Sequence, residues 1–485
     1  MTVLEGLKPE KVFYFFEKLC EIPHGSTNMK EISDYLVSFA KERNLKYYQD
    51  EAYNVVIYKE ASAGYEDAPI TILQGHCDMV AEKTPDSNHD FTKDGLKLKV
   101  EGDYLTAEGT TLGGDDGIAV AYMLAILDDD TLKHPALECV ITTDEEIGLL
   151  GAKALDTSVL KGTHMINMDS EEEGYLWISC AGGLSGTSRI PVEYQEMAGV
   201  VTEVLIDGLN GGHSGAEIDK NRANANKLMG LFLYELGQKT AYSIKDLSGG
   251  TKDNAITREC EMSLIYADSA EAQKAEKLAC DLAEVFADEI TSFEPDFSCE
   301  IAVTEGQSAM AVQEEDAKAF VSLMRLAPNG IYRRNIKMNG FVVVSSNMGV
   351  VRTEEDYIMV AVSPRSSVAS LQEDTKSRFA LLAETFGFEI EYSGEYPGWS
   401  YAEESKIRDL FVESYRDLFG SELRLEAIHA GLECGLFSEA IPGLDAIAVG
   451  PTLNNVHTPD ENAPLDSLER FYELLKDVLS RLARA

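Results

Sequence analysis

At 485 residues the chain exceeds what a single hydrophobic core usually supports, so two or three domains are expected, and 44% apolar with 26% charged content excludes disorder. With 84 acidic against 42 basic residues the net charge is −42, which repels phosphate backbones and anionic lipid and excludes nucleic acid and membrane surfaces as expected partners. The first thirty residues carry Lys8, Glu10, Lys11, Glu17 and Lys18 and no apolar run of signal-peptide length. No apolar run would span a bilayer either, and a cytoplasmic location is expected. The eight cysteines are scattered without a CxxC pair, as for reduced, buried thiols.

In chain order, Pro9 to Cys20 sets Phe13, Phe16, Leu19 and Cys20 at helical spacing behind a proline suited to a first turn. A second helix is expected from about Met29, with Ile32, Leu36, Phe39 and Ala40 on one face. His24, in the turn between them, reads as a loop hydrogen-bonder. Strands then alternate with helices: Asn54 to Tyr58, Ile70 to Leu73, a helix from Gly117 to Leu127, Cys139 to Thr142, and Met165 to Met168. Such alternation predicts a doubly wound, mostly parallel α/β sheet.

After Cys180-Ala-Gly-Gly183 the pattern changes. Long β-like runs, Val200 to Leu209 and Glu259 to Tyr266, flank helices at Arg222 to Leu236 and Ala270 to Ala287, which predicts an α+β insert. The stretch Lys252-Asp-Asn-Ala-Ile256 leads to the strand Glu261 to Tyr266, as Ser345-Ser-Asn-Met-Gly349 leads to Tyr357 to Val362. A helix follows each, so the insert reads as a doubled βαβ-like unit. Near Phe388 the α/β pattern returns, with a helix at Glu403 to Phe419, strands Arg424 to Ile428 and Asp445 to Val449, and a closing helix capped by Ser467. The expected domains are therefore 1–184 with 388–485, and 185–387 inserted between them.

Ligand-type side chains gather where these strands end. Gln74-Gly-His-Cys-Asp78 follows a strand, and its i, i+2 spacing puts His76 and Asp78 on one side. Asp78 is then placed to accept the second N–H of a metal-bound His76. Asp115 opens a helix after Leu112-Gly-Gly, Glu145 and Glu146 follow the strand ending at Thr142, Asp169 follows Asn167-Met, and His457 follows the strand Asp445 to Val449. Carboxyl ends of strands in open α/β sheets are where ligands bind. Two histidines with three carboxylates, one of them shared, suit a pair of zinc ions better than magnesium. Such a pair activates a water and polarises a carbonyl. Glu146 then serves as ligand and its neighbour Glu145 as general base.

The segments QGHCD, TTLGGDDG, TTDEEIG, INMDSEEEG, GGHSGAEID, HAGLECG and VHTPDE, in this order, resemble the cytosolic aminoacylhistidine dipeptidases, the carnosinase-like dinuclear zinc exopeptidases. The resemblance covers nearly the whole chain. It implies a zinc-exopeptidase-like catalytic domain with an inserted lid, and two divalent ions, zinc first with cobalt or manganese as alternatives. It assigns His76, Asp115 and Asp169 to one ion, and Asp115, Glu146 and His457 to the other. It also makes Asp78 the residue that orients His76, Glu145 the base, and the bond after Asp115 cis. In the lid it implies that His213 stabilises the oxyanion, that Asn254 and Asn347 bind the substrate backbone, and that Arg365 pairs with a terminal carboxylate. Simple lids borrow the histidine from a partner subunit, whereas a doubled lid could supply it within one chain, so homodimer and monomer both stay open. The expected activity is hydrolysis of unblocked dipeptides, Xaa-His and others, by a metal-bridging hydroxide. The alternatives are an N-acyl amino-acid deacylase of the same fold and a non-catalytic two-domain peptide-binding protein.

Overall fold

The computed structural model describes residues 3–482, without the side chains of 305–308. It contains two compact units, one of 181–398 with 428–431 and the other formed by the rest of the chain.

The first unit is built on an eight-stranded sheet whose middle strands, Leu137–Thr142, Thr71–His76, His164–Asn167 and Asp445–Ala448, run parallel in that spatial order. Every residue of Thr71–His76 and Leu137–Thr142 is buried, so both faces of the sheet are covered, as parallel sheets require. The chain passes from Thr71–His76 to the strand on one side and then returns to the strand on its other side. The carboxyl end of Thr71–His76 is therefore a topological switch point. Register completes the placement. His76 lies opposite Thr142, Gln74 opposite Asn167 and Asn167 opposite Ala448, so the residues following each strand emerge at one edge. Onto that edge points the helix Gly114–Leu127, buried along its whole length and, after Asp115 and Asp116, apolar all round, as a core helix must be.

Early helices form at Glu10–Cys20 and Lys30–Glu42, and His24 Nδ1 bonds the Ile22 carbonyl at 2.6 Å. The closing helix runs Leu465–Arg481, but Ser467 does not cap it: Pro464 holds that position. The Ser467 hydroxyl accepts the Thr452 N–H at 2.8 Å and ties the helix to the preceding loop. The helix expected from Arg222 begins at Ala225, because the Asn224 side chain caps it by accepting the Lys227 N–H. All eight cysteines are free. Among the described residues no helix is long and apolar enough to cross a membrane.

The second unit carries an eleven-stranded antiparallel sheet, and its doubling is larger than a βαβ unit. One copy runs Tyr194–Asp207, helix Ala225–Gly237, Ser243–Gly249, Cys260–Tyr266, helix Ser269–Ile290 and Ser298–Val312. The other runs Gly182–Pro191, helix Glu314–Leu326, Met348–Thr353, Tyr357–Val362, helix Ala369–Phe386 and Glu389–Tyr396. Each is a βαββαβ, ferredoxin-like unit, and the two meet edge to edge where Ser248 pairs Arg352 and Gly249 pairs Val351. The strand Glu389–Tyr396 completes the second copy by pairing with Gly182–Pro191. For that reason the unit extends to Gly398 rather than stopping at 387, and it begins at Ala181.

Candidate metal centre

The cluster in the first unit is organised by Asp115. Its Oδ1 lies 3.3 Å from His76 Nε2, and its Oδ2 lies 3.1 Å from His457 Nε2. His457 Nε2 is also 3.0 Å from Glu146 Oε1, and His76 Nε2 is 3.9 Å from Asp169 Oδ1 and 4.0 Å from Glu145 Oε2. Donors about 2.0–2.1 Å from a tetrahedral cation stand about 3.3 Å apart, so the shorter of these separations match the spacing that ligands of a common ion would have. Glu146 Oε1 is buried and makes no hydrogen bond despite its closeness to His457, as expected of an atom whose partner is a cation.

The supports of the cluster are visible. The Asp78 carboxylate sits 3.4 Å from His76 Nδ1, accepts the Ser26 hydroxyl at 2.8 Å, and accepts the backbone N–H groups of Glu145 at 3.0 Å and Glu146 at 3.3 Å. The His76 Nδ1–H also reaches the Asp78 carbonyl at 3.0 Å, which leaves Nε2 free to ligate. One aspartate thus fixes the imidazole and both glutamate backbones. Gly113, at φ 68°, turns the chain into the helix that carries Asp115, and the Asp115–Asp116 bond is cis. Asp116 accepts the His76 backbone N–H at 3.2 Å and forms a close trio of potential ligands with His76 and Asp169. The consecutive aspartates were the sequence signal for Asp116, which motif reading passed over. Any side chain at Gly75 would run into the Asp116 carboxylate.

Two further carboxylates escaped sequence reading. Glu461, four residues after His457, is buried and accepts the backbone N–H groups of Leu112, Gly113, Gly114 and Asp115 at 2.7, 3.1, 2.9 and 3.3 Å. It ties the His457 loop to the Asp115 turn. Glu433 is fully buried, accepting from Gln74 and, at 2.7 Å, from the Thr142 hydroxyl.

So many buried carboxylates oppose one another. Burial, with Asp115 and Glu145 nearby, drives Asp169 well above the ordinary carboxylate range. Burial also raises Glu145 to about 8, aided by Glu433 and Glu146 and opposed by His76. Burial would depress His76, but Asp115, Asp78 and Asp169 reverse the sign and raise it. The hydrogen bond to Asp115 and the Glu146 carboxylate beside the ring lift His457 to about 11. Protons stand here where cations would stand, and binding a cation must expel them. The raised Glu145 carboxyl contributes most to stability below about pH 4.5, and that contribution falls as pH rises toward 8. The raised His457 adds a loss of the same sign between 6.5 and about 11. The cluster's own share of stability in the metal-free protein is therefore expected to fall from pH 4.5 to 8, and a divalent cation should remove most of that fall. Thermal unfolding with and without chelator measures it as the gap between the two melting temperatures, and a gap that does not widen across this window contradicts the assignment.

In the second unit, Gly212 pairs with Ile256 and His213 with Ala255, so the Gly211–Gly215 loop lies beside the loop of Asn254. His213 Nδ1 accepts the Ala216 N–H at 3.0 Å and the Gly215 N–H at 3.3 Å. Burial and the neighbouring Arg365 lower its pKa, so the ring is neutral and carries its proton on Nε2. Arg365 is buried, donates to the Tyr396 hydroxyl at 2.8 Å, and has no carboxylate partner among the described residues; its Nε is unpaired. Asn254 is exposed. Asn347 commits both its amide protons to the carbonyls of Asp253 and Ala255, at 2.9 and 2.7 Å, and its Oδ1 accepts from Asn224. It braces the loop of Asn254.

A doubly wound α/β unit with a histidine and carboxylate cluster at its switch point, interrupted in sequence by an α+β unit, is the framework of a peptide hydrolase. The model of Peptidase family M20/M25/M40 matches residues 72–481, and the chain belongs to that family. It is 35% identical over 486 residues to the cytosol non-specific dipeptidase of Escherichia coli (strain K12), covering 99% of each chain. It is also similar to the crystal structure of aminoacylhistidine dipeptidase from Vibrio alginolyticus, with a TM-score of 0.94 and 35% identity over 98% of this chain and 97% of that one. The aminopeptidase PepT of Bacillus cereus shares the fold at 14% identity, with a TM-score of 0.57 over 98% of this chain and 99% of that one.

Proposed function

We propose that the protein is a dinuclear-metal dipeptidase that cleaves unblocked dipeptides, Xaa-His among them, and that it acts in the cytosol, the location its Escherichia coli relative is named for. The observation that carries this reading is the placement of both Asp115 oxygens, each within 3.3 Å of a different histidine nitrogen. His76, Asp115 and Asp169 would hold one ion, and Asp115, Glu146 and His457 the other, with zinc the first expectation and cobalt or manganese alternatives. Ions bound there would lower the pKa of a water toward about 7 and polarise the scissile carbonyl. Glu145, adjacent in sequence to a ligand but outside both ligand sets, takes the water's proton and delivers it to the leaving amine. Asp78 holds the His76 ring and the Glu145 backbone in register for this.

The 181–398 insert acts as a lid in this reading. The neutral His213, protonated at Nε2, is suited to donate to the developing oxyanion, which accumulates no charge until the transition state. Arg365, buried without a carboxylate, suits the peptide's terminal carboxylate, and Asn254 its backbone. A Cβ on Gly215 would meet the His429 carbonyl, with His213 Cε1 at 2.9 Å and Arg365 Cζ at 3.2 Å. Gly215→Ala is accordingly expected to lower kcat about tenfold or more by displacing the His213 ring, because losing one oxyanion donor costs about 10²–10³. Steady-state kinetics check this, and unchanged kcat would remove His213 from the mechanism.

The test of the proposal is a panel of free dipeptides and N-acylated amino acids, assayed on chelated and metal-restored enzyme. The expected result is cleavage of free dipeptides only, lost on chelation and regained with divalent metal. Cleavage confined to N-acylated compounds would replace the proposal with the deacylase reading.

A further inference from the structure

Within the second unit lies a cavity of about 380 Å³ whose lining includes Arg222, Arg333, Arg334, Tyr332, Ile256 and Asn347. The volume suits a small ligand. Arg222 is already neutralised, donating to Glu217 Oε1 at 3.0 Å and to the Gly211 carbonyl. The other two guanidinium groups are not. Arg334 donates to the Gly340 carbonyl at 2.9 Å, and Arg333 has no hydrogen bond or ion pair among the described residues. Both are exposed at the mouth of the cavity, and in a chain with 84 carboxylate residues for 42 basic ones two adjacent arginines without a carboxylate partner leave that mouth locally cationic.

The backbone supplies a second observation. Consecutive residues of a regular strand point to opposite faces, so neighbours 333 and 334 should not share a cavity. They do so because the strand Gly330–Asn335 slips register against Phe341–Ser346 twice, between Ile331 and Arg333 and again between Arg333 and Arg334. Such irregularities re-aim side chains, and both arginines are among the residues that line the cavity. Of the lining residues, Asn347 donates to the Asp253 carbonyl and Ile256 pairs with Gly212, next to the loops that carry Asn254 and His213.

We propose that this cavity binds a small dianion, a dicarboxylate or a phosphate group, held by Arg333 and Arg334. Paired guanidinium groups match two negative charges through forked N–H donors. The protein's overall negative field opposes anions, but it is screened beyond about 8 Å at physiological salt, so affinity rests on these two contacts. The inference does not depend on the proposed peptidase mechanism.

Isothermal titration of the intact, metal-loaded protein with succinate and, separately, inorganic phosphate tests it, using wild type, Arg333→Gln and Arg334→Gln. Any anion taken by the metal centre is common to all three proteins and drops out of the comparison. Wild type is expected to show a saturable site that weakens about tenfold or more in each variant, since a charge-assisted pair contributes more than 1.4 kcal/mol. Tighter succinate assigns the site to dicarboxylates, and tighter phosphate to phosphate-bearing ligands. Arg333 has no intramolecular partner, so Arg333→Gln should keep the wild-type melting temperature. Identical titrations in all three proteins, or no saturable binding of either anion to wild type, would overturn the proposal.

Discussion

Replacing Glu145 by Gln is expected to leave both metal ions in place while lowering kcat by about 10²–10⁴, the usual contribution of a positioned acid or base. The substitution keeps size and hydrogen-bonding shape but removes the proton acceptor. Glu145 stands 4.0 Å from His76 Nε2, farther than either Asp115 oxygen stands from its histidine, and its side chain keeps 18% exposure toward solvent. Glu146, by contrast, is 3.0 Å from His457 with an unpaired buried oxygen, so Glu146→Gln should reduce metal content together with rate. Elemental analysis beside kinetics separates the two glutamates. Loss of metal from Glu145→Gln, with Glu146→Gln retaining it, would exchange their roles.

The largest effect on stability is expected at Glu461. Its carboxylate is the acceptor for four consecutive backbone N–H groups, from Leu112 to Asp115, at the entrance to a fully buried helix. Glu461→Ala strands those donors, and with about 1–3 kcal/mol for each unsatisfied buried group the loss should be about 3 kcal/mol or more. Because the same carboxylate links the Asp115 turn to the His457 loop, metal affinity should fall with it. Glu461→Gln retains one acceptor oxygen of the two, so it should fold, with an intermediate melting temperature and weaker metal binding. Wild-type melting and metal retention in both variants would show that the turn is held by other contacts.

The cluster was legible in the sequence because each of its members follows a strand or opens a helix. Parallel strands with matched register then deliver them to one edge, so His76, Glu146, Asp169 and His457 could be picked by position alone. Glu461 and Glu433 were not, because their partners are backbone amides and neutral side chains at a remove of more than 290 residues, and no spacing rule reports such contacts. The doubling of the insert was half visible. Strands Cys260–Tyr266 and Tyr357–Val362 do take equivalent third positions in the two copies. The first strand of the second copy, Gly182–Pro191, precedes the entire first copy, so the repeat is split and no tandem period exists to be read. Asn347 shows what a motif leaves out. Its motif suggested a substrate contact, and its amide protons serve the neighbouring loop, a use that follows only from the fold.

The measurement that bears most directly on the whole account is anomalous diffraction at the zinc edge from crystals of the zinc-loaded protein. The account predicts two peaks per chain, about 3.5 to 4 Å apart, with Asp115 between them, His76 on one and His457 on the other. A single peak, or peaks elsewhere with the Asp115 cluster empty, would contradict it.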